Sequence, residues 1–158
     1  MFISKNIAKE TSGTTISLAE VSDIAIAKNV EDTAGNMILK FDIEGAEWEM
    51  FAGCNVQLLK RFRIITGEIH GLSRLLDVNF YLSVRMVMDK LCLHHQVPHV
   101  HANNIGRMGV REGVLVPDLI EISFLRRDFG PFEATCERFP GPLDYPNQPD
   151  KSDIVLNF

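Results

Sequence analysis

The sequence predicts an α/β fold, because segments with helical and strand patterns alternate along the chain. Two segments carry most of this prediction. The apolar run from Met37 to Ile43 follows turn-forming residues and is typical of a buried parallel strand. Farther along, apolar residues over 80–91 recur at the spacing of one helix face. With 158 residues, 46% of them hydrophobic, the chain is long enough to form one core, and we expect a single domain over 1–158.

The other elements follow from local signals. Residues Ser17 to Glu20 have the form of a capping box, which predicts a helix from there to about Ala27. The strand 37–43 leads into acidic and then apolar residues, so a sharp turn into a helix is expected at about Glu44. Further strands are predicted at 63–70, 97–103 and 119–125. Five prolines after Phe129 predict that 129–158 is an irregular tail, with a short strand at 154–156.

Charge and composition exclude several classes of protein. The net charge of -5 and the absence of an extended basic stripe argue against nucleic-acid binding. No apolar run approaches the roughly 18 residues that would cross a bilayer, and the first residues lack the pattern of a secretory signal. Cys54, Cys92 and Cys136 form no Cys-x-x-Cys pair and are expected to be buried thiols. These features favour a cytoplasmic location without a membrane role.

Unusual polar residues gather where the predicted strands end. The carboxyl ends of neighbouring strands in such a sheet meet at one rim, where ligands bind. A spacing of two would turn both members of a pair to the same side while the backbone stays extended. The residues concerned are Asp42 and Glu44, Glu68 and His70, and His99, His101, Asn103 and Asn104. They predict a site that orients a hydroxyl group, takes its proton or holds a polar cofactor.

Other interpretations of these residues stay open. Glu44 and Glu47 have the position of simple capping groups at a helix N-terminus. Carboxylates and imidazoles are also ligands of divalent metals, so a metal-dependent site formed by His99 and His101 with Glu68 and His70 and with Asp42 and Glu44 is an alternative. No residue is assigned as a metal ligand on this evidence.

The segment Ile38-Leu39-Lys40-Phe41-Asp42-Ile43-Glu44-Gly45-Ala46-Glu47-Trp48-Glu49-Met50-Phe51 closely resembles the hallmark segment of the FkbM-type methyltransferases. Further similarities follow in the family's order, at 67–70, at 99–104, at 117–122 and at 143–147. The resemblance implies the C-terminal half of a Rossmann-like class I methyltransferase fold. Such a half has a mostly parallel sheet that ends in an antiparallel strand pair.

The resemblance also implies a function. Members use S-adenosylmethionine, usually to methylate a hydroxyl of a sugar, polyketide or related small-molecule acceptor. On this basis His70 is the predicted catalytic base, with Asp42 as the alternative, and Asp42 and Glu44 are the predicted cofactor-binding residues. The predicted acceptor-binding residues are His101, Asn103 and Asn104.

The cofactor half of such an enzyme has no counterpart in the first 36 residues, which contain only the separate glycines Gly13 and Gly35. A glycine-rich turn would allow close backbone approach to the cofactor. The chain therefore has the pattern of a truncated domain, and strand 37–43 is expected to be an edge that the N-terminal segment, a second copy or a partner covers. A non-catalytic binding or assembly module is the alternative function.

Overall fold

A computed structural model of the chain describes residues 5–28, 35–111 and 113–156. The strands are β1 (Asn6–Ala8), β2 (Thr15–Ser17), β3 (Met37–Phe41), β4 (Phe62–Ile69), β5 (His95–Ala102), β6 (Met108–Arg111), β7 (Val114–Pro117) and β8 (Ile120–Arg126). The α-helices are α1 (Leu18–Lys28), α2 (Glu47–Gly53), α3 (Val56–Leu59) and α4 (Val78–Cys92), and short 3-10 helices span Leu72–Leu76 and Arg127–Phe129. Every helix in these ranges is too short or too polar to span a lipid bilayer.

The central sheet has four strands in the order β3-β4-β8-β5. β3 and β4 are parallel, whereas β8 is antiparallel to both of its neighbours. The expected mostly parallel sheet is therefore observed as a mixed sheet, although β5 runs in the same direction as β3 and β4. The antiparallel pair of β5 and β8 at one end agrees with the expected terminal pair.

The two faces of this sheet differ in chemistry. On one face, Leu39, Ile65 and Phe124 are cross-strand neighbours and form part of the core. On the other face, two rows of cross-strand neighbours are polar, and the row before them, Ile38, Ile64 and Leu125, is apolar. The polar rows are Lys40, Thr66, Ser123 and His99, then Glu68, Glu121 and His101. Because side chains alternate between faces along a strand, the polar residues predicted at the strand ends continue down one face of the sheet.

The helices cover the apolar face. As the periodicity predicts, α4 buries Val84, Val87 and Leu91. Its Lys90 Nζ donates to the carbonyls of Phe51, Ala52 and Cys54 at the end of α2, with distances of 2.7 to 3.0 Å. A cation at the negative end of α2 stabilises that end, and these bonds fix α2 against α4.

Close contact between β3 and β4 depends on a glycine. A Cβ atom on Gly67 would lie 1.9 Å from the carbonyl oxygen of Phe41, its cross-strand neighbour. A larger residue at 67 would therefore force the end of β3 away from β4. This contact holds the chain next to Asp42 against the end of β4.

The predicted first helix is confirmed as α1, and its capping box forms in a modified way. The Glu20 amide donates to Ser17 Oγ at 3.2 Å, as expected. The Ser17 amide donates to Thr11 Oγ1 at 3.0 Å, and that hydroxyl donates to the Glu20 carboxylate. The sequence analysis did not predict the parallel pair of β1 and β2 that precedes this helix.

The outer edge of β3 has no strand partner among the described residues, since β3 pairs with β4 alone. Ile38 on this strand is 66% exposed. The expectation that 37–43 is an edge strand agrees with this arrangement, although the strand itself ends at Phe41. Its cover by a second copy or a partner stays a prediction.

Three smaller expectations differ from the structure. Between the strands predicted at 97–103 and 119–125, where no element is predicted, the chain forms the antiparallel hairpin of β6 and β7. The tail is irregular as predicted, but the strand expected at 154–156 is reduced to isolated bridges at Ile154 and Leu156. The three cysteines are not all buried, because only Cys54 is buried while Cys92 is half-buried and Cys136 exposed.

Candidate functional site

The turn after β3 places two acidic side chains near the end of β4. β3 ends at Phe41, and Glu44 has a φ of 54°, followed by Gly45 at 98°. A positive φ is uncommon for a residue with a side chain and is often found at functional sites. The assumption of extended backbone from Asp42 to Glu44 is therefore wrong, because the chain turns before Glu44.

Glu47, in the first turn of α2, fixes the position of His70. The Glu47 side chain is fully buried. Its Oε1 accepts from the His70 amide at 2.6 Å and lies 3.1 Å from the ring Nδ1, while its Oε2 accepts from the Gly45 amide at 3.0 Å. The Trp48 indole donates to the His70 carbonyl at 2.8 Å. Both the backbone and the ring of His70 are thus held from α2.

The other ring nitrogen of His70 faces carboxylates. Nε2 lies 3.3 Å from Glu68 Oε2 and 3.5 Å from Glu44 Oε2. Donor atoms of Asp42, Glu68 and His70 all lie within 4.8 Å of one another. The predicted convergence of the ends of β3 and β4 is therefore observed for these side chains.

Asn103, just after β5, joins the same group. Its Nδ2 donates to Glu68 Oε1, and its Oδ1 accepts from the Ile105 amide at 2.9 Å. Asn103 is buried. Strand ends separated in sequence thus meet at one rim, as the sequence analysis expects for Asp42, His70 and Asn103.

A polar cavity of about 320 Å³ opens beside this rim and extends along the polar face of the sheet. Its lining comes from four strands or their ends and from the tail: Lys40, Phe41, Asp42, Thr66, Gly67, Glu68, Asn103, Glu121 and Asn147. Such a lining offers carboxylates, amides, a hydroxyl and an ammonium group to a polar ligand.

Two residues predicted to bind the acceptor contact the tail instead of lining this cavity. His101 Nε2 lies 3.1 Å from the Asp153 carboxylate. Asn104 Oδ1 accepts from the Gln148 amide at 2.8 Å, and its Nδ2 donates to the Gln148 carbonyl at 3.0 Å. His99 is bound to the tail in the same way, because its Nε2 lies 2.9 Å from Asp144.

The sequence analysis missed Glu47, Lys40 and Thr66 as site residues. The capping interpretation of Glu47 is incomplete, since its carboxylate binds the backbone and ring of a residue 23 positions away. Lys40 and Thr66 each stand two residues before an acid in a strand, so strict alternation places them on the same face as Asp42 and Glu68. This spacing of two residues is the feature of the sequence that indicates that the site extends along the sheet from the strand ends.

Comparison with the sequence models of known protein families shows which family this chain belongs to. The model of the FkbM methyltransferase domain matches residues 3–93, which is more than half of the chain. The matched region contains the turn after β3, the end of β4 and the cluster around His70. The chain belongs to the FkbM methyltransferase family, and its general class is that of a methyltransferase domain. Comparison with curated proteins and with solved structures found no match.

Proposed function

We propose that this protein takes part in S-adenosylmethionine-dependent methylation of a hydroxyl group, with the cluster at the ends of β3 and β4 as its reaction centre. The observation that carries the proposal is the convergence of Asp42, Glu68 and His70 at one rim, next to Asn103, in a chain of the FkbM family. In a Rossmann-like arrangement this rim is where cofactor and acceptor meet.

His70 is the proposed proton acceptor. When its Nδ1 carries the proton that Glu47 accepts, Nε2 has a free lone pair that faces Glu68, a residue of the cavity lining. Methyl transfer forms an oxygen–carbon bond at the acceptor and breaks the sulfur–carbon bond of the cofactor, and the hydroxyl proton moves to Nε2. Asp42 is the alternative proton acceptor, since its carboxylate lies in the same group.

The donor set suits the charged end of the cofactor, which supplies the methyl group from a positively charged sulfonium. Asp42 and Glu44 are the residues proposed to hold this end, because the Asp42 carboxylate lines the cavity, the Glu44 carboxylate lies beside His70, and carboxylates attract a cation. The first 36 residues contain no glycine-rich turn for the remainder of the cofactor. The residues of this site therefore fit only the methyl-donating end of the cofactor.

The acceptor is proposed to be a small polar molecule, such as a sugar or a related hydroxylated metabolite. The cavity has room for about that size and is lined mainly by hydrogen-bonding groups. Asn103 is the proposed direct contact. His101 and Asn104 contribute through the tail, because they hold the segment that carries Asn147 to the cavity wall.

Calorimetric titration with S-adenosylmethionine, combined with light-scattering measurement of the oligomeric state, tests cofactor binding. We expect Asp42→Asn to weaken binding and Glu49→Gln to leave it unchanged, because Glu49 is exposed on α2 outside the cluster. In an assembly that turns over, His70→Ala should lower kcat. Unchanged turnover in that variant would remove His70 from the reaction.

A non-catalytic binding or assembly module is the second candidate function. The outer edge of β3, to which the described part of the chain adds no strand, and the exposed Ile38 favour it, because an unpaired strand edge is a template for a second copy or a partner chain. Absence of cofactor binding in every oligomeric state would favour the module over the enzyme.

A further inference from the structure

We propose that Asp42, Glu68 and His70 bind a divalent transition-metal ion. One donor atom from each of the three side chains lies within 4.8 Å of the other two. Two atoms bound to the same ion at about 2.0 to 2.4 Å lie at most about 4 to 5 Å apart. The three side chains are thus spaced as the ligands of one ion are, with little movement needed.

The hydrogen bond at Nδ1 prepares His70 to act as a ligand. A metal-binding histidine usually donates its other ring N–H to a carboxylate, which fixes the tautomer and the ring orientation. Glu47 Oε1 lies 3.1 Å from Nδ1, and the Glu47 side chain is fully buried and held by two backbone amides. The lone pair of Nε2 then points to the side where Glu68 and Glu44 lie.

The charges of the cluster also call for a cation. Asp42, Glu44, Glu47 and Glu68 surround a single imidazole. Among the described residues, the ion pairs of arginine involve other acids and none of these four, and Lys40, which lines the adjoining cavity, forms no ion pair with them. A bound divalent ion would hold these carboxylates and the imidazole lone pair together.

The ligand set favours a particular class of ion and leaves part of its shell open. Imidazole nitrogen suits zinc and its transition-metal neighbours, whereas carboxylates suit manganese and magnesium, so a mixed set fits Mn²⁺ or Zn²⁺. Asn103 binds Glu68 Oε1 and so fixes the carboxylate whose other oxygen faces His70. The coordination positions of the ion that these three side chains leave open would face the polar cavity.

The second histidine pair is not part of this site. His99 and His101 each place Nε2 against a tail carboxylate, Asp144 and Asp153 respectively. Neither histidine belongs to the group of close donor atoms that Asp42, Glu68 and His70 form. The metal-dependent alternative from the sequence is thereby narrowed to the ends of β3 and β4.

The inference concerns the site of the proposed methyl transfer but does not rest on it, since metal binding is measured on the protein alone. If an ion is bound to Nε2, His70 has no free lone pair there to accept a proton. The ion would then take the place of the imidazole and assist loss of the proton from the acceptor hydroxyl. Metal binding and cofactor binding can each fail without the other.

Titration of the full chain with Mn²⁺, followed by electron paramagnetic resonance of the free ion, tests the proposal. We expect about one ion per chain, with the pulsed spectrum showing a coupled imidazole nitrogen that is absent in His70→Gln. Asp42→Asn should weaken binding at least about tenfold, because it removes an exposed ligand without a buried contact. Zn²⁺ competition gives a second measure of affinity.

Glu49→Gln is the matched control for Asp42→Asn, because it removes one negative charge at an exposed residue of α2 that does not belong to the cluster. The affinity of this variant for Mn²⁺ should stay within about twofold of wild type, since an exposed charge is screened. Equal weakening in Asp42→Asn and Glu49→Gln would overturn the proposal in favour of diffuse attraction. Absence of stoichiometric binding by the wild-type chain, or an unchanged nitrogen signal in His70→Gln, would overturn it as well.

Discussion

Glu47 Oε1 lies 2.6 Å from the backbone nitrogen of His70 and 3.1 Å from its ring Nδ1. One buried carboxylate thus fixes both where the chain leaves β4 and how the imidazole is oriented. Because Glu47 belongs to the first turn of α2, the helix after β3 determines the geometry at the end of β4. The proposed base and the proposed metal ligand both depend on this relationship.

Replacing Glu47 by alanine should destabilise the protein by about 1 to 3 kcal/mol, because it leaves the His70 amide without its acceptor in a buried place. Glu47→Gln should cost less, since its one carbonyl oxygen replaces one of two acceptors. Chemical denaturation gives the free energies of unfolding. The exposed neighbour Glu49→Ala should change stability by no more than about 0.5 kcal/mol. Equal stability of the two alanine variants would contradict the buried role of Glu47.

Asn104→Ala should loosen the tail. The side chain bonds both the amide and the carbonyl of Gln148, so its loss leaves a partly buried backbone pair without partners. We expect a stability loss of about 1 to 3 kcal/mol. Hydrogen exchange over residues 139–156 should become faster.

Asn147→Ala is the control for the tail prediction, because Asn147 is exposed and bonds Glu121 at the surface. In the Asn147→Ala variant, hydrogen exchange over residues 139–156 should stay close to that of the wild type. If hydrogen exchange in the tail were unchanged in Asn104→Ala, the conclusion that Asn104 holds the tail in place would be wrong.

The elements that local pattern determines were predictable. Val84, Val87 and Leu91 recur at helical spacing and are buried, and the acid-rich turn after Phe41 does lead into α2. The strands β1 and β2 have three residues each, too few for a clear alternating pattern. The hairpin of β6 and β7 was missed because its glycine-containing sequence is equally typical of a loop.

The site was predictable where strand ends converge and unpredictable where the tail returns. Asp42 and His70 follow adjacent parallel strands, so topology alone brings them together. The pairing of His101 with Asp153 joins residues 52 positions apart through an irregular segment. No periodicity marks such a path, and the sequence therefore predicts His101 as an acceptor-binding residue at the rim and not as a contact of the tail.

Cys54 should resist thiol reagents. Burial raises the pKa of Cys54 to about 11, although the Lys90 ammonium nearby opposes the shift. At pH 8 about one such thiol in a thousand would be ionised, and the thiolate is the reactive form. Cys136 is exposed and should react first with Ellman's reagent. The Cys136→Ser variant should lose the fast phase, and persistence of that phase would show that a different cysteine reacts.

His95 makes stability depend on pH. Its ring is fully buried, with Nε2 3.0 Å from the Phe62 carbonyl, and burial lowers its pKa although that carbonyl opposes the shift. The lowered pKa favours the neutral ring in the folded protein.

In the unfolded chain the pKa of His95 returns to about 6.5, so the unfolded state binds more protons than the folded state below that pH. The free energy of unfolding should therefore decrease as the pH falls from about 7.5 through 6.5 toward the lower folded pKa. His95→Gln can retain a hydrogen bond to Phe62 but cannot titrate, and its stability should fall less over the same range. Denaturation of both proteins at several pH values isolates His95, because all other titrating groups are common to both. Parallel curves would mean that His95 does not couple protonation to folding.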